Sequence, residues 1–313
     1  MVSGRERAIV LMYHRVAETI CDPWGLAVSP RNFAAQLAWL KQERDVVPLS
    51  WLTSQIARGH VPSRAVAITF DDGYADVLLA GKPILEQHGC PATVFLVTGA
   101  LGSPGFWWDD LSKILLEPET VPEYLEIEIA GHRHAWRIFD DADSQNSLNQ
   151  VSRSGLYQAL WTLLRPLVAS ARAAHIHELA SWANAPSITR ESDRVVTSDE
   201  VAQLHVPGFI DIGAHTVSHP SLPLLDSSQQ AAEISESQIA CEALLGTSIP
   251  GFSYPFGDYD DVTVRLVREA GFDFAVTTQP RAVRGVRDHH LLPRLGVENW
   301  DAERFSTELS AFA

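Results

Sequence analysis

The chain is poor in cysteine and has no long apolar run. Its three cysteines, Cys21, Cys90 and Cys241, are odd in number and far apart, so they match neither a disulfide framework nor a thiolate metal site. No apolar stretch approaches the roughly 20 residues that a membrane-spanning helix needs. The apolar run near the N-terminus is too short for the core of a secretion signal. These absences predict a soluble, cytoplasmic protein without a membrane span.

Positive charge is also scarce. Lys and Arg number 24 against 39 Asp and Glu, which gives a formal net charge of −15 at pH 7. This balance argues against a general nucleic-acid binder and against docking on an anionic membrane, because phosphates would be repelled. The length of 313 residues is enough for one large α/β barrel or two modest domains. Nothing in the sequence indicates an oligomeric state.

Short apolar runs alternate with segments of helical periodicity. Continuous apolar runs are typical of buried parallel strands, and strands that alternate with helices predict a mostly parallel α/β sheet. The runs are Ala8–Tyr13, Ala65–Phe70, Ala92–Val97, Phe209–Ala214, Gly251–Tyr254, Phe272–Thr277 and Leu291–Val297. The helical patterns cover residues 32–40 after a capping Ser29, 75–88 before Gly89, a segment that starts near Ser198, 227–245 before Gly246, and 262–270 before Gly271.

Residues 103–197 interrupt this alternation. They carry a helical pattern over residues 149–183 and five of the nine tryptophans, which are Trp107, Trp108, Trp136, Trp161 and Trp182. We interpret them as a largely helical insertion within one domain that spans residues 1–313. Trp107 and Trp108 either stack on a sugar ring or form the hydrophobic base of the insertion.

Polar side chains follow several predicted strands, at the end where α/β enzymes carry their chemistry. Asp71 and Asp72 follow one strand, and His215 and His219, four residues apart, follow another. Two buried carboxylates are costly unless a metal, a cation or catalysis requires them. Asp72, two neutral imidazoles and one open position would make a typical catalytic zinc site. Each motif alone also fits a turn or ordinary histidines, but both follow core strands, which favours a metal site.

Three segments of the chain resemble the signature motifs of a known family. The segments Thr69–Gly73, His215–His219 and Phe252–Gly257 look like three signature motifs of the polysaccharide deacetylases, also called the NodB-homology group or carbohydrate esterase family 4. The opening Leu11–Val16 is similar to the start of members from surface-polysaccharide pathways. The resemblance leaves the insertion unexplained. It implies a distorted (β/α)7 barrel that hydrolyses an N-acetyl group from an amino sugar.

The same resemblance assigns roles to the residues at the strand ends. The Asp72, His215 and His219 cluster would hold a divalent metal, which lowers the pKa of bound water, and Asp71 would be the general base. Zinc is the expected metal, although cobalt, nickel or iron would fit the same ligands. The oxyanion would face the metal and a backbone N–H, that of Phe256. Tyr254 and Phe256 either shape the floor of the site or simply pack after a strand.

The sequence departs from the family pattern at two functional positions. Ser253 stands where members usually carry the arginine that orients the catalytic aspartate. Arg294 is our candidate replacement, because a charge inside an apolar run needs a partner and Asp71 would be one; an ion pair elsewhere is the alternative. The family's acid histidine, in a Leu-x-His pattern near the C-terminus, has no clear copy. His14, after the first strand, would either donate to the leaving amine or bind substrate.

Three functions are compatible with these motifs. The leading prediction is a metal-dependent N-deacetylase that acts on an N-acetylated amino sugar in a glycan, a lipid-linked intermediate or a nucleotide-linked intermediate. The second is hydrolysis of a non-sugar amide, since a barrel alone does not determine the substrate. The third is a catalytically impaired carbohydrate-binding protein, which the missing arginine and acid histidine favour and the retained Asp71 opposes.

Overall fold

The structure is a computed structural model, and it describes residues 7–139, 150–185, 191–285 and 288–312. The chain divides into two compact units. The first, which we call the barrel unit, comprises Met1–Glu18, Gly25–Ser103 and Arg194–Ala313. The second, the insertion unit, comprises Thr19–Trp24 and Pro104–Asp193. Across the described ranges, none of the helices combines the length and the apolar character that crossing a membrane requires.

Strands and helices alternate along most of the barrel unit. Its strands are β1 (Ile9–Tyr13), β2 (Arg15–Val16), β3 (Ala27–Val28), β4 (Asp45–Val46), β5 (Ala65–Phe70), β6 (Ala92–Leu96), β10 (Ile210–Ala214), β11 (Gly251–Ser253), β12 (Phe274–Val276) and β13 (Leu295–Gly296). Its helices are α1 (Pro30–Glu43), α2 (Leu49–Ala57), α3 (Lys82–His88), α7 (Ser198–Leu204), α8 (Ser227–Leu245), α9 (Asp261–Glu269) and α10 (Ala302–Phe312).

A curled parallel sheet forms the centre of the barrel unit. Within the described residues the strand order is β12-β11-β10-β6-β5-β1-β13, and β4 also pairs with β5. Every pairing is parallel, as in the register that sets Ile9 opposite Val66. The segment before β13 pairs with β12 through a bridge from Leu292 to Val276, so the two ends of the strand order approach each other. The distorted barrel that the family resemblance predicts is confirmed.

The core of the barrel unit explains why its strands are continuous apolar runs. Every residue of β5 and β6 is buried, because side chains on one face fill the inside of the curled sheet and those on the other contact helices. Ala67, Phe95, Val276 and Leu292 belong to one buried cluster from four different parts of the sheet. Charged residues are therefore absent from β5 and β6, and Asp71 and Asp72 follow the end of β5.

Several helix boundaries follow from capping residues that the sequence indicates. The Ser29 side chain accepts a hydrogen bond from the N–H of Asn32 at the start of α1, and α8 ends at Gly246, which is left-handed with φ 69°. The helical pattern over residues 75–88 is present in two parts. A π-helical turn, Val77–Gly81, precedes α3, and Gly89 ends that helix.

The insertion unit contains a sheet that the sequence analysis above does not anticipate. The strands β7 (Tyr124–Ile129), β8 (His132–Phe139) and β9 (Gln150–Ser152) accompany the helices α4 (Trp107–Leu115), α5 (Arg153–Leu164) and α6 (Ala169–Trp182). β7 and β8 form an antiparallel hairpin, and β9 pairs with β8 in parallel. Helices make up most of the regular structure described in this unit, as the sequence predicts, and the sheet is an addition to them. Alternate apolar residues of β7 pack against these helices, which is the pattern of a half-buried strand.

Candidate active site

The candidate site lies at the carboxyl ends of neighbouring parallel strands of the barrel unit. Asp71 and Asp72 directly follow β5, and His215 directly follows β10. Because β5 and β10 both pair with β6, these ends lie close together. Asp71, Asp72 and His215 are each 2% exposed and His219 is 5% exposed, so the site is built from buried polar groups. Groups of this kind need charge partners or ligands to offset their desolvation.

Asp72, His215 and His219 form a compact set of potential metal ligands. One ligand atom from each lies within 4.8 Å of the others. The Oδ1 atom of Asp72 is 3.6 Å from Nε2 of His215 and 3.4 Å from Nε2 of His219. The structure thus brings together the three residues that the sequence analysis proposes as metal ligands.

The donor set fits a divalent metal such as zinc. The Nδ1 atom of His215 lies 2.7 Å from the carbonyl oxygen of Ser253 and donates to it, which leaves Nε2 as the lone-pair atom that faces Asp72. Burial lowers the pKa of His215, against the opposing effect of the Asp71 charge, and so favours the neutral imidazole that binds metals. Two imidazole nitrogens and one carboxylate are a common catalytic zinc donor set.

Asp71 is held by a buried arginine rather than by the three potential metal ligands. Nη1 and Nη2 of Arg294 donate to Oδ1 and Oδ2 of Asp71 at 2.8 and 2.6 Å, a bidentate pair. The remaining donors of Arg294 reach Thr69 Oγ1, Ser253 Oγ and the carbonyl oxygen of Thr277. Arg294 is 0% exposed, so all of its hydrogen-bonding capacity is used inside the protein. The ion pair proposed from the sequence is therefore present.

Ser253 links this ion pair to the histidine cluster. Its hydroxyl donates to Oδ2 of Asp71 at 3.1 Å and accepts from Nη2 of Arg294, while its carbonyl oxygen accepts from His215. The small Ser253 side chain at the third motif leaves room for the side chain of Arg294, which directly precedes β13. The sequence reveals the replacement of the family arginine, but not this bridging role of Ser253.

The surroundings keep Asp71 ionised. Burial alone would raise the pKa of the Asp71 carboxyl, but the charge of Arg294 and its hydrogen bonds lower that pKa well below its usual range. The Asp71 carboxyl is therefore ionised beside the set of potential metal ligands, and this is the form that can accept a proton.

The backbone of the site is strained. Asp72, Thr216, His219 and Phe256 have φ between 55° and 72°, the left-handed region that residues other than glycine rarely adopt. Within the described residues two further non-glycine positions share this geometry, and both lie in the insertion unit. Strain of this kind concentrates at functional sites, where the surrounding structure imposes it.

Three further candidates from the barrel unit occupy different surroundings. His14 follows β1, is half-buried, and is near enough to Asp71 to affect its pKa. The ring of Phe256 contacts that of His219 edge-on, with centroids 4.5 Å apart. Tyr254 is 0% exposed, and its hydroxyl donates to the carbonyl oxygen of His290 at 3.0 Å. Its side chain therefore packs in the core, the alternative given above, and does not form the floor of the site.

Trp107 and Trp108 pack within the insertion unit. Trp108 is 6% exposed and stacks on Phe106 with ring centroids 4.5 Å apart. Trp107 packs against the core of this unit and lies beneath the guanidinium of Arg172, 5.1 Å from the ring centroid. These contacts agree with the hydrophobic-base interpretation of the two residues.

Comparison with known proteins identifies the family. The sequence profile of the polysaccharide deacetylases matches residues 58–157 and 171–275, more than half of the chain. The chain therefore belongs to the polysaccharide deacetylase family. The poly-beta-1,6-N-acetyl-D-glucosamine N-deacetylase of Staphylococcus epidermidis is 22% identical, over 98% of this chain and 85% of its own length.

Solved structures show the same fold. The Streptococcus pyogenes deacetylase PplD, solved in complex with acetate, superposes with a TM-score of 0.61 at 16% identity, over 97% of this chain and 98% of its own. IcaB from Ammonifex degensii superposes with a TM-score of 0.60 at 18% identity, over 98% of this chain and 97% of its own. At these identities the likeness concerns the fold.

Proposed function

We propose that this chain is a metal-dependent hydrolase that removes N-acetyl groups from an N-acetylated amino-sugar polymer. The observation that carries the proposal is the buried Asp72, His215 and His219 set, next to a second carboxylate that Arg294 holds apart from it. Membership of the polysaccharide deacetylase family supports the same reaction class. The two adjacent aspartates would then have separate roles, Asp72 as a ligand and Asp71 as the base.

The residues of the chain would divide the chemistry as follows. A divalent cation held by the Asp-His-His set would supply Lewis acidity and lower the pKa of water. The Asp71 carboxylate would take the proton from the attacking water, and Arg294 would fix its orientation. The backbone N–H of Phe256 would donate to the developing oxyanion, because Pro255 beside it has no N–H. His14, in its protonated form, would donate a proton to the leaving amine, and proton exchange with solvent would then restore both Asp71 and His14.

The family relatives favour one of the three substrate types considered above. The Staphylococcus epidermidis relative, which aligns with almost the whole chain, is named for a polymer of N-acetylglucosamine. We therefore place a glycan ahead of nucleotide-linked and lipid-linked sugars. A cytoplasmic location stays a prediction from the sequence alone.

One of the two arguments for a catalytically impaired carbohydrate-binding protein, the missing arginine, no longer holds. This alternative was favoured by the absence of an arginine from the third motif, and Arg294 supplies a bidentate cation to Asp71 from another part of the chain. The alternative of a non-sugar amide hydrolase has no specific observation in its favour.

Metal analysis combined with acetate release tests the proposal. We expect about one divalent metal per chain, and loss of acetate release from poly-N-acetylglucosamine on chelation. Asp71→Asn should retain the metal and lose turnover, whereas His215→Ala should lose both. His177→Ala, at an exposed position of α6, is the matched control and should change neither. A wild-type protein without metal, or a His215→Ala variant that keeps it, would refute the assignment.

A further inference from the structure

The loop between the two histidines is bound by a glutamate from the following helix. Oε2 of Glu233 accepts hydrogen bonds from the backbone N–H groups of both Val217 and Ser218, each at 2.9 Å. Oε1 of the same carboxylate accepts from the Ser218 hydroxyl at 2.6 Å. Glu233 lies in the second turn of α8 and is half-buried. One side chain thus engages both residues at the centre of the loop, through charge-assisted hydrogen bonds.

The opposite side of the loop rests on the turn that follows β6. The N–H groups of Thr98 and Gly99 donate to the carbonyl oxygens of Thr216 and Val217 at 3.1 and 2.8 Å. A Cβ atom at Gly99 would lie 2.6 Å from the Val217 oxygen, so this close approach requires glycine. The loop is therefore held from two sides, by the backbone of the barrel and by the Glu233 carboxylate.

The loop needs such support because its backbone is strained at both ends. Thr216 has φ 67° and His219 has φ 55°, although neither is glycine. Inside the loop, the Thr216 hydroxyl accepts from the N–H of His219 at 3.0 Å. If the Val217 and Ser218 amides lost their acceptor, the loop would be freer to relax, and the two imidazoles that flank it would move with it.

We propose that Glu233 is a positioning residue, which holds the loop of residues 215–219 in the conformation that turns both imidazoles toward Asp72. This inference rests on the proposed metal site. It adds to that site a residue that is outside the set of potential ligands and acts through the loop backbone. The carboxylate is suited to this task because one oxygen accepts from two consecutive N–H groups, as an anion does in a backbone nest.

The test compares Zn²⁺ affinity in three variants. Glu233→Ala removes all three hydrogen bonds, and Glu233→Gln keeps the shape and an amide oxygen but loses the charge. Glu236→Ala is the matched control, because Glu236 is exposed on the same helix three residues further on. The Zn²⁺ dissociation constant is measured for the chelator-treated protein by competition with a chromophoric chelator, well below the melting temperature. Hydrogen exchange of the Val217 and Ser218 amides is recorded in parallel.

We expect Glu233→Ala to weaken Zn²⁺ binding by about tenfold, as changes around metal ligands commonly do, and to speed exchange at both amides. Glu233→Gln should restore most of the affinity, with a loss of about threefold from the missing charge. Glu236→Ala should match the wild type. A purely structural anchor would lower the melting temperature without changing the dissociation constant.

The outcomes separate this inference from the proposed function. A wild-type protein that binds no Zn²⁺ would overturn both. Wild-type binding with an unchanged dissociation constant in Glu233→Ala would overturn the role of Glu233 alone. Should Glu233→Ala not fold, Glu233→Gln decides: an affinity equal to that of the wild type overturns the inference, and a threefold loss supports it.

Discussion

The buried pair of Asp71 and Arg294 should show a large energetic coupling in a double-mutant cycle. Its side chains are 4% and 0% exposed, and the closest N–O distance is 2.6 Å. Two unit charges about 4 Å apart interact by roughly 4 kcal/mol at an effective dielectric constant near 20. Removing one partner leaves the other charge buried and unpaired, which typically costs about 3–5 kcal/mol. We therefore expect Asp71→Asn and Arg294→Met each to be strongly destabilising.

The double variant should cost much less than the sum of the two single variants. It removes both charges together, so neither remains unpaired in the interior, and the coupling free energy should be about 4 kcal/mol. The free energy of unfolding is measured in urea with a chelator present, which keeps metal binding from contributing to the difference. Because the chain has two compact units, the four proteins are compared at the same unfolding transition.

An exposed ion pair in the same unit gives the matched control. Arg265 and Glu269 lie one turn apart on α9, with an N–O distance of 2.9 Å and side chains 54% and 57% exposed. A pair of this kind is worth about 0.3–0.5 kcal/mol. A coupling for Asp71 and Arg294 that is no larger than the value for this control would refute the conclusion that Arg294 compensates the buried Asp71 carboxylate.

Two further predictions concern thiols and a buried hydroxyl. A thiol reagent should modify one cysteine quickly in the native protein and all three in denaturant. Cys21 is only half-buried, whereas burial raises the pKa of the Cys90 thiol to about 11 and that of the Cys241 thiol to about 12. Fast modification of all three cysteines without denaturant would contradict this burial. Tyr254→Phe should reduce the free energy of unfolding by about 1 kcal/mol and leave acetate release unchanged, because the Tyr254 hydroxyl donates to a backbone carbonyl oxygen in the core. A large loss of turnover in this variant would instead indicate that Tyr254 lines the substrate site.

The elements that the sequence predicts well are those that local chemistry determines. β5 has the bounds of its apolar run, Ala65–Phe70, and α8 spans Ser227–Leu245 up to Gly246, as the sequence indicates. A buried parallel strand and a capped helix each carry their signal within a few neighbouring residues. The set of three potential metal ligands could also be predicted from the sequence, because both of its motifs directly follow such strands.

Features that depend on distant packing were harder to predict. The β7 strand of the insertion unit does carry a local signal, since Leu125, Ile127 and Ile129 are buried and alternate with exposed residues. Segments of helical periodicity on both sides of this short strand make its pattern less distinct. Glu233 carries no signal at all, because a glutamate on a long helix is ordinarily a solvated charge. Its partners are set by where α8 packs, which the sequence of the helix does not reveal.

The strain in the site explains why distant groups matter to it. Asp72, Thr216, His219 and Phe256 are left-handed, at a cost of about 1–3 kcal/mol each, and the net stability of a domain is only about 5–15 kcal/mol. Strain of that size persists only if contacts around the site offset it. Two of the strained residues are themselves proposed ligands, so any relaxation of the backbone moves the ligand atoms. Substitutions of the supporting contacts should therefore change metal affinity as well as stability, whereas equally destabilising substitutions elsewhere in the core should change stability alone.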